Sequence, residues 1–243
     1  MNHDLPRATL PLAGLGTAPA AGRLVTDAPT RMFHALFALS FIGAYLTAES
    51  ERWRLLHVTL GYSFAGLLAF RLLYGLVGPR QARLAALWRR LAGAPDWLRS
   101  LPAARSRSAI DWRQGQNLAM VLVTVSMMAL VTPLALSGWA TYHEWGGALG
   151  DDWLEEVHEF FGNALLTLVL AHLGLIALLS LLRRRNLALP MLSGRVDGSG
   201  PSPVRHNRAW LAAALLLAVL AFGSWHWQSA PPDQGCPVGS RDR

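Results

Sequence analysis

Residues 156–172 read EVHEFFGNALLTLVLAH, a charged edge followed by a largely apolar run with histidines at positions 158 and 172. The two histidines are fourteen residues apart. On an α-helix that is almost four whole turns, so both imidazoles leave one face, about 21 Å apart along the axis. The segment predicts a membrane-length rod with a metal-ligand side chain near each end. Two further histidines, His34 and His57, also lie within long apolar stretches.

The stretches fall at roughly 32–48, 57–78, 118–140, 156–182 and 209–228. Each is near the length that a bilayer requires of a helix. Asp27 and Pro29 make a cap and first turn for the first span. Pro133 lies within the third, where a membrane helix tolerates it as a kink. The chain is 52% hydrophobic and only 15% charged, which excludes an ordinary soluble domain. The expected fold is therefore all-α and integral to the membrane. It is a four-helix transmembrane bundle with an extra fifth helix at the C-terminal end. Residues 1–26 lack the compact basic start and apolar core of a secretory signal and read as a disordered lead. Residues 27–195 form the membrane domain, 196–208 a linker, 209–228 the fifth span and 229–243 a disordered tail.

All 22 basic residues are arginine, and the formal net charge is +7. They sit between the apolar spans rather than on one basic surface, so nucleic acid is not an expected partner. Eight of them, from Arg80 to Arg113, occupy the loop between the second and third spans. Arg183, Arg184 and Arg185 end the fourth. The remaining loops are acidic or mixed, with Glu49 and Glu51 in one and Glu144, Asp151, Asp152, Glu155 and Glu156 in the other. The positive-inside rule then makes the amino terminus and the arginine loop cytoplasmic and the acidic loops external. The carboxyl terminus, after a fifth crossing, is external too. Within the arginine loop, Leu84, Leu87, Trp88 and Leu91 have helical spacing, which fits a helix lying on the membrane surface or an ordinary solvated connector.

Depth sorts the four histidines. His34 comes fifteen residues before Glu49, and His172 comes sixteen after Glu156. Both therefore sit about 22–24 Å below the outer surface. His57 and His158 follow Arg54 and Glu156 by two or three residues. This yields an inner pair, His34 with His172, and an outer pair, His57 with His158. One imidazole from each of two facing helices at matched height is what bis-histidine haem ligation needs. Gly61 and Gly162 lie four residues after His57 and His158, one turn deeper on the same face, where a missing side chain lets a flat porphyrin approach. Gly138 and Gly174 offer similar room, although glycine also serves helix packing.

The only cysteine is Cys236, so covalent haem attachment, iron–sulfur clusters and thiolate zinc sites are excluded. Two haem b groups held by axial histidines are the expected cofactors. Haem propionates need cationic partners. Arg31 and Arg54 precede His34 and His57 by three residues each and are candidates, with interfacial charge as the simpler reading. Arg71, fourteen residues after His57, reads either as a partner for an inner propionate or as a side chain snorkelling to the cytoplasmic headgroups. His143 and His226 read as interfacial residues, His143 also as an acceptor of quinol protons. His3 and His206 carry no signal. The competing chemistries are a metal-ion transporter that uses the histidines as a transit path and a non-redox membrane anchor for a soluble enzyme.

Several stretches resemble the bacterial cytochrome b561 superfamily, which includes the b-type cytochrome subunits of nickel–iron hydrogenases. They are Asp27-Ala-Pro-Thr-Arg-Met-Phe-His34, His57-Val-Thr-Leu-Gly-Tyr62, Gly138-Trp-Ala-Thr-Tyr142 and Glu156-Val-His158 with His172. The resemblance covers approximately residues 27–195. It implies a four-helix bundle in a bacterial inner membrane that holds two b haems in the pairing above. It further implies electron exchange between the quinone pool and a redox partner protein, such as a c-type cytochrome or an oxidoreductase subunit. The fifth span departs from the family's four-helix core.

Overall fold

The computed structural model describes residues 22–80, 82–103, 106, 110–146, 152–198 and 200–230. The expectations placed on residues 1–21, on Arg105, Arg107 and Asp151, and on the tail from 231 with Cys236 lie outside the described residues.

Five long helices form where the apolar runs predict them. Helix α1 spans Ala28–Thr47; the Asp27 carboxylate accepts from the Thr30 backbone N–H at 3.3 Å, and Pro29 occupies the first turn. A single 3₁₀ turn, Glu51–Trp53, leads into α2, Arg54–Val77. Two short helices follow, α3 at Leu84–Ala92 and α4 at Ala94–Ala103. The first is the amphipathic helix expected in the arginine loop; α4 was not anticipated. Helix α5 covers Trp112–Tyr142 and is capped by Asp111, which accepts from the Gln114 N–H at 3.0 Å. Helix α6 covers Asp152–Arg183, α7 is the short Leu189–Ser193, and α8 covers Ala209–Ser229.

Among the described residues, four helical stretches are long and apolar enough to cross a membrane: α2 with its leading turn, α5, α6 and α8. Helix α1 has 20 residues, but Arg31 and His34 dilute its apolar content. Helices α5 and α6 overshoot the apolar stretches that announce them. Hydropathy marks the part of a helix that lies in hydrocarbon, and polar residues such as Arg113, Gln116 and Asn117 continue the same backbone ladder outside it.

Helix α1 packs along α2, and α5 along α6; α2 also touches α5 and so joins the two pairs. Helix α8 lies against α1 and α2. By contrast, α6 makes little backbone contact with α1 or α2. Between the pairs sits a buried layer of Phe41, Phe64, Leu68, Val131, Leu134 and Leu165. Phe37 stacks on Phe64 with ring centroids 4.0 Å apart. Leu165 is seven residues from both His158 and His172, which puts this layer halfway between the two histidine levels. The outer surface is apolar in the opposite sense to a soluble protein: Leu46 is 77% exposed and Val77 82%. Such faces belong against lipid.

The arginine-rich end is more ordered than a lead and a linker would be. Strand β1, Arg23–Leu24, pairs antiparallel with β2, Arg195–Val196. The Val25 and Thr26 N–H groups both donate to the Gly194 carbonyl, at 2.8 and 3.2 Å. Asn207 accepts from the Ala28 N–H through its side chain at 3.0 Å. Order therefore starts before Asp27, and residues 196–208 are tied to the start of α1 instead of hanging between domains. Gly194 takes φ +78, a left-handed conformation that only glycine adopts freely, to close α7.

Asp27 is 3% exposed and accepts from the Tyr74 hydroxyl as well as capping α1. Arg71 is close enough to interact with it electrostatically. Replacing Asp27 with Ala removes a cap and leaves the buried Tyr74 hydroxyl short of a partner, an expected loss of about 2 kcal/mol. The thermal midpoint of helix loss by circular dichroism in detergent checks this, and Asp27→Asn, which retains the cap acceptor, should lose less.

Candidate functional site

At the acidic end, His57 stands in the first turn of α2 and His158 in the second turn of α6. His57 Nδ1 lies 2.8 Å from the Ala44 carbonyl oxygen of α1. A carbonyl can only accept, so Nδ1 carries the proton and Nε2 keeps its lone pair. His158 Nδ1 lies 3.0 Å from the Leu134 carbonyl oxygen of α5 and 3.2 Å from Ser137 Oγ. The Ser137 hydroxyl already donates to Leu134 at 3.0 Å, so its proton is committed and His158 Nδ1 must be the donor here too. Both imidazoles are thus held in the tautomer whose Nε2 can bind a metal.

The two rings face one another with centroids 6.1 Å apart and planes at 83°. Two imidazole nitrogens bonded to one metal at about 2 Å each would separate the ring centroids by roughly 6 Å. The observed separation leaves room for a single metal between the two imidazoles. Gly138 of α5 takes part as well. A Cβ on it would lie 2.6 Å from His158 Cε1, so this glycine gives its space to the imidazole and not to a flat group. A Cβ on Gly61 would meet nothing within 4 Å, which leaves open space one turn deeper than His57. Gly162 is less open, since its Cβ would reach Leu134 Cδ1 at 4.0 Å.

Fourteen residues on from His158, His172 interacts electrostatically with His34 of α1. Its Nδ1 is buried without a hydrogen-bond partner, an unpaired polar atom of the sort that awaits a ligand or a ring rotation onto one. A Cβ on Gly174 would likewise meet nothing within 4 Å. The structure sets His57 against His158, and His172 of α6 is within electrostatic reach of His34 of α1. Among the described residues no three or more His, Cys, Asp or Glu side chains converge. A tetrahedral zinc site takes three or four protein ligands, whereas a haem iron takes two from the axial directions.

The arginines are placed differently from the expectation that they flank these pairs. Arg31 donates to the Leu192 carbonyl oxygen at 3.1 Å and packs on Gly194, whose Cβ would lie 3.0 Å from Arg31 Nε. Arg54 sits over the Tyr142 ring, 6.0 Å from its centroid. Arg71 donates to the Ala82 carbonyl oxygen at 2.9 Å and lies beside Asp27, so it turns towards the arginine-rich end. Its side chain thus reaches the way a snorkelling arginine would, but to a backbone carbonyl. His143 is exposed, with Nδ1 2.8 Å from the Trp139 carbonyl oxygen. His226, read from sequence as interfacial, instead bonds across to α2: its Nδ1 is 2.8 Å from Thr59 Oγ1.

Helical membrane architecture with histidines paired between facing helices defines a class, the membrane cytochromes that hold haem by axial imidazoles. Residues 25–194 match the family model for prokaryotic cytochrome b561, and the chain belongs to that family. It is a membrane b-type cytochrome of electron transfer, and its family binds b-type haem. Among curated proteins and solved structures, none matches the chain significantly.

The close fit of Gly138 against His158 has a direct consequence. Gly138→Ala should displace the imidazole and lower the b-type haem retained on purification to less than about half. Gly174→Ala, whose methyl group enters open space on the far side of α6 from His172, should retain it. Haem per protein by pyridine hemochrome assay is the measurement.

Proposed function

We propose that this chain passes electrons between the membrane quinone pool and a redox partner protein through two bis-histidine b-type haems. One is held by His57 and His158, the other by His34 and His172. The observation that carries the reading is the His57–His158 pair, with ring centroids 6.1 Å apart and each Nδ1 set on a backbone carbonyl. When bound there, haem supplies reversible one-electron uptake and release at iron.

The chain's own residues supply orientation, insulation and exclusion. The Ala44 and Leu134 carbonyls fix the tautomer and swing of the outer imidazoles and raise their basicity as ligands. With His57 and His158 as its two ligands, a haem iron would keep no free position for oxygen or a substrate, which favours electron relay over bond-making chemistry. The layer around Phe37, Phe64 and Leu165 keeps water out of the space between the two levels. In this reading α1 is a fifth crossing, since it supplies His34 and runs alongside α2. The arginine-rich end faces the cytoplasm and the acidic end the periplasm of a bacterial inner membrane. The redox partner is a c-type cytochrome or an oxidoreductase subunit.

The test is a reduced-minus-oxidised spectrum with haem stoichiometry on the purified chain. Two b-type haems per chain are expected. His158→Ala and His172→Ala should each remove about half of the absorbance, with the remaining haem still low-spin. A colourless protein that conducts metal ions, or one unaffected by alanine at all four histidines, would sink the proposal.

A further inference from the structure

Helix α8 lies outside the residues matched to the family, 25–194, yet it is docked tightly to the bundle. Near the acidic end it forms, with α2, a cleft of about 570 Å³. Its lining includes Tyr62, Ser63 and Gly66 from α2 and Phe222, Trp225 and His226 from α8. That volume lies within the usual range for small-molecule sites. Gly66 and Trp225 are exposed, so the cleft opens on the outer surface of the bundle.

The side chains are arranged for a flat ring with a hydroxyl. His226 stacks on Phe222 at 5.7 Å and 29° and meets Tyr62 edge-on at 5.8 Å and 74°. Its hydrogen bonding is determined by Thr59. The Thr59 hydroxyl donates to the Leu55 carbonyl oxygen at 2.7 Å, so towards His226 it can only accept. His226 Nδ1 is therefore the protonated nitrogen, and in the neutral ring Nε2 is an acceptor. A buried threonine spent on setting the tautomer of a histidine is an unneeded refinement at a merely interfacial position. Thr59, which holds His226, is also only two residues from His57 on the same helix.

The lining carries no arginine or carboxylate to hold a phospholipid headgroup. Aromatic rings at one end with the His226 imidazole among them, and Leu67, Leu215, Ala218 and Val219 completing the lining, suit an uncharged aromatic diol that carries an apolar tail. We propose that the cleft between α2 and α8 binds the ring of a quinol, with His226 Nε2 accepting from one ring hydroxyl and the isoprenoid tail leaving between the helices. The choice of ligand rests on the quinone-linked reading above, but the site itself is argued from this geometry.

Equilibrium binding of decylubiquinol to the full-length chain in phosphatidylcholine nanodiscs, without oxygen, tests it. Two variants are informative. His226→Phe retains the aromatic slab and removes the acceptor. Gly66→Leu fills the cleft, and its Cβ meets nothing within 4 Å, so the fold has room for it. Each should weaken binding by about tenfold or more, with helicity and any b-type spectrum unchanged. Affinity within about twofold of the parent in both variants would overturn the proposal. So would a loss confined to Gly66→Leu, which would mark an occupant held by shape alone, such as a lipid chain. A colourless parent that still binds decylubiquinol through His226 would support this cleft while refuting the haem reading. A red parent whose variants bind undiminished would do the reverse.

Discussion

Two hydrogen bonds from imidazole Nδ1 to backbone carbonyls fix the register of the helices at the acidic end of this molecule. Ala44 on α1 takes the proton of His57 on α2, and Leu134 on α5 takes that of His158 on α6. Each bond crosses from one helix to its neighbour within a pair, so the same contact that tunes a ligand also registers two helices. Ala44 lies in the last turn of α1, where the Ala48 N–H turns to the Tyr45 carbonyl and leaves that of Ala44 without its ladder donor; the Leu134 carbonyl also accepts from the Ser137 hydroxyl. The neighbouring helix must then come close, and Gly138 makes that possible on α5, where any side chain would collide with the His158 ring. Chemistry and packing cannot be separated at this position.

The close pairing of α1 with α2 and of α5 with α6 explains why the bundle has a gap where it does. Four apolar rods in a membrane gain little from a hydrophobic drive towards each other, so van der Waals fit and polar contacts decide their arrangement. Here the fit is spent within each pair, and α6 stands off from α1 and α2. A polar clasp, Tyr45 hydroxyl to Asn163 Oδ1 at 3.1 Å, links α1 to α6 near the acidic end. The paired imidazoles face one another across the same space. Between the two histidine levels the halves meet through the apolar layer of Phe41, Phe64, Val131 and Leu165.

Much of this was legible in the residues, for reasons that can be named. A helix in hydrocarbon has a fixed rise per residue, so distance from the last loop charge becomes depth, and histidines on different helices can be paired without knowing their contacts. That logic put His57 with His158 and His34 with His172. It says less about Arg71, because a guanidinium on a long flexible stem reaches a level other than that of its own Cα. It also missed His226. Depth placed that histidine at an interface, and nothing in the sequence showed that Thr59 of α2 would face it with its only proton already given away. The pairing of Arg23–Leu24 with Arg195–Val196 escaped for a related reason, since two-residue strands have no periodicity to read.

The arginine-rich end shows why a charge count is a poor guide to cofactor contacts. The chain has 22 arginines and no lysine. Among the described residues, four reach backbone carbonyls at helix ends and turns: Arg31 to Leu192, Arg71 to Ala82, Arg83 to Gly78 and Arg195 to Gly22, at 2.8–3.1 Å. Carbonyls of this kind lack partners in the ladder, and in a membrane protein the supply of water to satisfy them is limited. A planar fork with five donors meets that need better than an ammonium point charge. The same residues that set topology through their charge thus also close off the helix ends. This double duty draws Arg31 and Arg71 away from the histidine levels and leaves the interior of the bundle to imidazole, aromatic rings and space.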